Sequence, residues 1–175
     1  VHCSKTLSSK MNSLPNNTDL KQIIQDIETG VDLTRYLSRD TVRHVASAPR
    51  KGQKLNKRRD LDLLLIDWGI HHLHISTLVK SDGFVKSADY LLFGVFKEGD
   101  AFLIDVRPHQ EKNAKGINTV WYKKELIKIL MNELPQSNVV HEINGISGIS
   151  IDPDEEQIRG LRSNGANTFY EIDGR

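Results

Sequence analysis

The chain has 175 residues, with 24 Lys+Arg against 23 Asp+Glu, 38% hydrophobic and 27% charged residues. That composition excludes a disordered chain, and the length buries a sizeable core without covalent staples. One cysteine, Cys3, excludes an internal disulfide framework and a cysteine-based zinc site, and apolar runs such as 63–66 fall far short of the roughly 20 residues that span a bilayer.

Residues 1–17 are rich in Ser, Asn and Lys without periodicity and are expected to form a flexible lead-in. A single α+β domain is expected over 18–175. Its first helix begins at Asn17 or Thr18, places Leu20, Ile23, Ile24 and Ile27 on one face and stops at Gly30. A second short helix over 31–37 follows, with Leu33, Tyr36 and Leu37 on its apolar side.

From 43 to 59 there are seven basic residues, Arg43, Arg50, Lys51, Lys54, Lys57, Arg58 and Arg59, and no Asp or Glu. Pro49 and Gly52 make this an exposed loop. Arg50, Lys51, Lys54, Lys57, Arg58 and Arg59 are candidate nucleic-acid contacts, since such a segment on a near-neutral chain can follow a phosphate backbone. A solvated loop is the plain alternative.

Asp60 is placed to cap a short helix in which Leu61, Leu64, Leu65 and Trp68 share a face, ending at Gly69; a buried strand is the alternative for so short an apolar run. Residues 70–78 then alternate as a strand, with Leu73, Ile75 and Thr77 on one side and His72, His74 and Ser76 on the other. Residues 90–96 and 101–107 read as a hairpin around Gly99. Phe102, Ile104 and Val106 should share one face of its return strand, and Leu103, Asp105 and Arg107 the other, with Pro108 ending the ladder.

Past the hairpin, an amphipathic helix is expected over 121–134, with Leu126, Ile129, Leu130 and Leu134 inward. Another runs from Pro153 to about Ser163, capped by Asp152 and stopped by Gly165. A last strand over 168–172 ends in an Asp173-Gly174 hairpin turn, so the parent protein is expected to continue. The fold class is therefore α+β: N-terminal helices and a mostly antiparallel sheet of 4–6 strands, with helices packed on one face.

Three of the seven histidines, His71, His72 and His74, fall within four positions. On a strand His72 and His74 share a face, with Cα atoms about 7 Å apart. Imidazoles so placed can share a metal ion, perform acid–base chemistry near neutral pH, or hold a phosphate; an ordinary polar strand face is the other possibility. If the return strand lies in the same sheet, Asp105, Arg107 and His109 join them. One imidazole would then take a 2′-hydroxyl proton, another protonate the leaving 5′-oxygen, and Arg107 stabilise the pentacovalent phosphate. Arg107 paired with Asp105 or a surface acid is the bland reading. His-x-His lacks the Glu that a cupin-like metal site needs, so neither metal nor cofactor is expected. Trp121 and Tyr122, beside Lys123 and Lys124, suit either base stacking or packing on the sheet.

The order of features over 72–112, from His72, His74 and Ser76 through the 89–109 hairpin with Tyr90, Phe93, Asp105, Arg107 and His109, resembles the sheet of RelE/ParE-type bacterial toxins, within the wider barnase/RelE-like ribonucleases. The resemblance implies a metal-independent endoribonuclease acting on RNA through His72, His74, Arg107 and His109, with an antitoxin or immunity protein as partner. A non-enzymatic module that binds nucleic acid or protein through the 43–59 loop is the alternative. No membrane association is expected, and a cytoplasmic location is.

Overall fold

The computed structural model describes residues 1–15, 17–38, 41, 63–143, 145, 150, 152–164, 166 and 169–174. The basic loop with Arg50, Lys51, Lys54, Lys57, Arg58 and Arg59 lies outside the described residues, as do the Asp60 cap and Gly165.

The described elements are β1 (His2–Cys3), α1 (Lys5–Lys10), α2 (Asn17–Glu28), α3 (Leu63–Trp68), β2 (His71–His74), β3 (Tyr90–Lys97), β4 (Asp100–Pro108), α4 (Lys124–Glu133) and α5 (Glu155–Ser163), with 3-10 turns at Thr34–Tyr36, Val120–Tyr122 and Pro135–Ser137. The strands make one mixed sheet in the order β1-β4-β3-β2. β2–β3 and β3–β4 are antiparallel, and β1 runs parallel to β4. The protein is of the α+β class. Among the described residues no helix is long and apolar enough to cross a membrane.

Helices cover both faces of the sheet, which corrects the expected one-faced packing. The central strands are apolar at nearly every position, and such strands must be buried on both sides. Leu91, Phe93 and Val95 of β3 pack with Phe102 and Ile104 of β4, Leu64 of α3, and Leu126, Ile129 and Leu130 of α4. Leu92, Leu103 and Val106 point the other way and pack with Leu7 of α1, Leu20 and Ile23 of α2, and Tyr36. Helices thus lie on both the N-terminal and the C-terminal sides of the sheet in the chain.

Residues 2–10, expected within a flexible lead-in, are part of the fold. The Ser4 amide donates to the Leu103 carbonyl at 3.0 Å. Its hydroxyl caps α1 by accepting from the Leu7 amide at 2.8 Å and donates to the Ile104 carbonyl at 2.5 Å. Thr6 then joins α1 to α4, its amide and hydroxyl both donating to the Glu133 carboxylate, at 2.9 and 2.6 Å. The segment is too short for periodicity to register, and its order comes from partners about 100 residues away.

Three C-terminal expectations change. The cap of α5 is Asp154, whose side chain accepts from the Gln157 amide while Gln157 reaches back in a capping box; Pro153 precedes it. Residues 169–172 form no strand, and Ile172 instead enters the core beside α4. The second short helix is reduced to the single turn Thr34–Tyr36.

Candidate functional site

A bulge in the hairpin assembles the site. Phe93 pairs with Asp105 but Gly94 pairs with Leu103, so Ile104 is an extra residue in β4. An extra residue inverts the alternation beyond it. Val106 therefore joins Leu103 on the α1/α2 side, correcting its expected partnership with Phe102 and Ile104, while Asp105 and Arg107 leave the Leu103 face. Residues directly opposite on neighbouring strands share a face. His72, Phe93 and Asp105 form one such row, and His74, Leu91 and Arg107 the next.

Gly69, with φ of 66°, ends α3 and turns the chain into β2. The His72 and His74 rings meet edge-on, with centroids 6.1 Å apart. His109 lies just beyond β4. Its amide donates to the Asp89 carbonyl at 2.7 Å and its carbonyl accepts from the Asn118 side chain at 3.0 Å. So held, its ring sits 5.4 Å from His74, also edge-on. The Trp121 indole closes the group, 4.8 Å from His72 and 6.1 Å from His109. It also meets Phe93, so Trp121 packs on the sheet. His72 is buried, whereas His74 and His109 are half-buried.

Burial pulls the His109 pKa below the ordinary imidazole value; positive charge on His72 adds to this and Asp89 opposes it. His109 is accordingly neutral at pH 7, the form that accepts a proton. His71 faces away and packs on Phe96. Ser76 leaves the strand face: its amide donates to the His74 carbonyl at 2.9 Å and its hydroxyl accepts from the Leu78 amide.

Arg107 is paired, as its plain reading held. Its Nε lies 3.0 Å from Asp105, and its Nη1 lies 3.7 Å from Glu111. These contacts belong to a chain of alternating charge. Lys10 binds Asp105 at 2.7 Å, and Lys123 sits between Glu111 at 3.1 Å and Glu155 at 3.2 Å. Three cations face three carboxylates, so this network of ion pairs carries no net charge. The Glu111 carboxylate lies between Arg107 and Lys123 and neutralises both in part.

The three imidazoles, Arg107, and Lys123 beside Trp121 are legible in the sequence; Lys10, Glu111 and Arg162 join them only in the fold. The i,i+4 spacing of Arg107 and Glu111 was a usable signal. So was Arg162, one turn after the buried Ile158 on the inner side of α5. Lys10 gave none, because α1 itself was not foreseen. Among the described residues no group of three or more His, Cys, Asp or Glu side chains is placed to hold a metal ion. The chain matches no protein-family model, no curated protein and no solved structure.

Proposed function

We propose that the protein is an endoribonuclease that needs no metal, with His74 and His109 as its acid–base pair. What carries the reading is the edge contact of two half-buried imidazoles, one of them held neutral, within a wall made by His72 and Trp121. His109 removes the proton from a ribose 2′-hydroxyl. The freed oxygen attacks phosphorus, the bond to the 5′-oxygen breaks, and protonated His74 supplies that oxygen's proton. The products are a 2′,3′-cyclic phosphate and a 5′-hydroxyl. His72, buried beside His74 and against Trp121, orients the His74 ring. Arg107 and Lys123 take the phosphate's charge once it displaces Glu111. The RelE/ParE-type resemblance adds a cytoplasmic setting and a neutralising partner protein.

The test is incubation of the purified chain with total RNA and a labelled oligonucleotide, with and without EDTA, beside His74→Ala and His109→Ala. EDTA-resistant cleavage that falls by about 10²–10⁴ in each variant is expected. Cleavage abolished by EDTA refutes the metal-free mechanism. Binding without cleavage in every lane replaces the enzyme with a nucleic-acid-binding module that uses the 43–59 loop.

A further inference from the structure

We infer that Arg162 is a positioning residue for the histidine site, holding the Val120–Tyr122 turn so that the Trp121 indole stays seated against His72 and His109. The inference rests on the reading of that cluster as the functional site. Arg162 is only 2% exposed, and an arginine buried so fully must find partners for its charge and its donors. Its Nη1 donates to the Trp121 carbonyl at 2.6 Å. Its Nε lies 3.0 Å from the Asp67 carboxylate of α3. The guanidinium plane lies 3.9 Å from the Trp68 ring centroid and 5.7 Å from that of Tyr122. One side chain of α5 therefore fixes α3 and the 120–122 turn together.

The hydrogen bond goes to the backbone of the residue whose ring closes the site. The turn has no side-chain cap of its own. Its leading residues are held by buried Val120, whose amide donates to the Asn118 side-chain oxygen, and by Thr119, whose amide and hydroxyl donate to the Glu111 carbonyl; Arg162 adds the hold on the Trp121 peptide itself. Arg162 acts on the indole through the Trp121 peptide, from α5.

The consequence is readable at His109, whose pKa is lowered first by burial and second by His72. The groups that can influence its titration are His72 and His74 of β2, Asp89 ahead of β3, and Arg107 and Glu111 on either side of it in the chain. Arg162→Gln leaves all of these in place but also removes a positive charge, which by itself raises His109; Asp67→Asn removes a negative charge, which by itself lowers it, so a rise in both variants is the mark of the indole's retreat. Loss of Arg162 lets the indole retreat, admits water to the His109 ring and returns its titration midpoint towards the ordinary value of about 6.5.

The experiment is an NMR titration of the imidazoles in the full chain, for the unaltered protein, Arg162→Gln, Arg162→Lys and Asp67→Asn. His2, which stacks on Phe102 near the opposite end of β4, serves as the internal reference. In Arg162→Gln the His109 midpoint should rise towards the ordinary imidazole value by more than any change at His2, a direction set by relief of desolvation. Arg162→Lys keeps a charged donor and should restore part of the difference, although an ammonium lacks the planar fork. Asp67→Asn should shift His109 the same way by less. An unchanged His109 midpoint in folded Arg162→Gln overturns the inference, as does a shift shared equally by His2. If Arg162→Gln does not fold, Asp67→Asn decides by the same criterion. Cleavage assays on the same samples separate the two readings. A His109 shift in a protein that cleaves no RNA sustains the role of Arg162 and overturns the ribonuclease. Undiminished kcat with an unmoved His109 in a cleaving Arg162→Gln protein leaves Arg162 a purely structural residue.

Discussion

Leu7→Ala tests whether the first ten residues belong to the fold. Leu7 is fully buried among Leu20, Ile23, Tyr36, Leu73 and Leu103. The substitution deletes three carbons, worth about 2.4 kcal/mol at about 0.8 kcal/mol per buried methylene. The cavity left behind adds to this, because the sheet on one side and α2 on the other cannot close over it. A total of about 3–4 kcal/mol sits within the range observed for buried Leu→Ala changes. For a domain of this size that lowers the melting temperature by roughly 6–16 °C. At a urea m-value of about 2 kcal/mol/M it lowers the midpoint by about 1.5–2 M. Ser9→Ala is the matched control, since Ser9 is exposed and its hydroxyl only donates to the Thr6 carbonyl within α1; it should stay within about 0.5 kcal/mol. Equal midpoints for the two variants would mean that α1 is not docked, and the parallel β1–β4 pairing would fall with it.

Further outcomes follow from other buried groups. The Asp26 carboxyl is held below the ordinary carboxylate range, chiefly by the Tyr36 hydroxyl at 2.6 Å and then by the Gln22 amide, with Arg35 also bound. A depressed folded pKa stabilises the fold above the unfolded value of about 3.9 and loses that contribution as pH falls through the folded one. Tyr36→Phe should therefore cost about 1–2 kcal/mol at pH 7 and move acid unfolding to higher pH; an unmoved acid midpoint would refute the linkage. Asp105 is fully buried, accepts from Lys10 and from the Val106 amide, and is ion-paired with Arg107. Asp105→Asn should cost roughly 2–3 kcal/mol in chemical denaturation, less than a fully buried pair because the half-exposed Lys10 can turn to water; a loss under about 1 kcal/mol would show that the charge chain is marginal. A Cβ at Gly94 would lie 3.1 Å from the Phe102 carbonyl oxygen and 3.2 Å from Leu103 Cδ2, so Gly94→Ala should destabilise by about 1–3 kcal/mol. Gly160→Ala in α5 meets open space and should stabilise by about 0.5–1 kcal/mol; a thermal melt of each variant checks both signs.

Much of the architecture is written in local pattern. The apolar spacing of Leu20 and Ile23, and of Leu126, Ile129 and Leu130, specifies α2 and α4, because a 3.6-residue period buries one stripe whatever lies opposite. Gly69 and Gly99 mark the end of α3 and the turn between β3 and β4 for the same local reason. The spacing of His72 and His74 places both imidazoles on one face as soon as β2 is a strand. Two-sided burial was also legible in the unbroken apolar character of 91–95 and 101–104, although alternation alone suggested one covered face. Other features exist only through distant contacts. β1 and α1 are ordered by Leu103, Ile104 and Glu133, none of which their own few residues can announce. The bulge at Ile104 is decided by how β3 and β4 pair. That single extra residue sends Val106 to one core and brings Arg107 into the row of His74. The neutralisation of Arg107, the seating of Trp121 and the clamp of Arg162 depend in turn on where α5 and the 110–123 segment come to rest. Periodicity fixes which residues face inward, but which inward-facing residues meet is settled only when the layers pack.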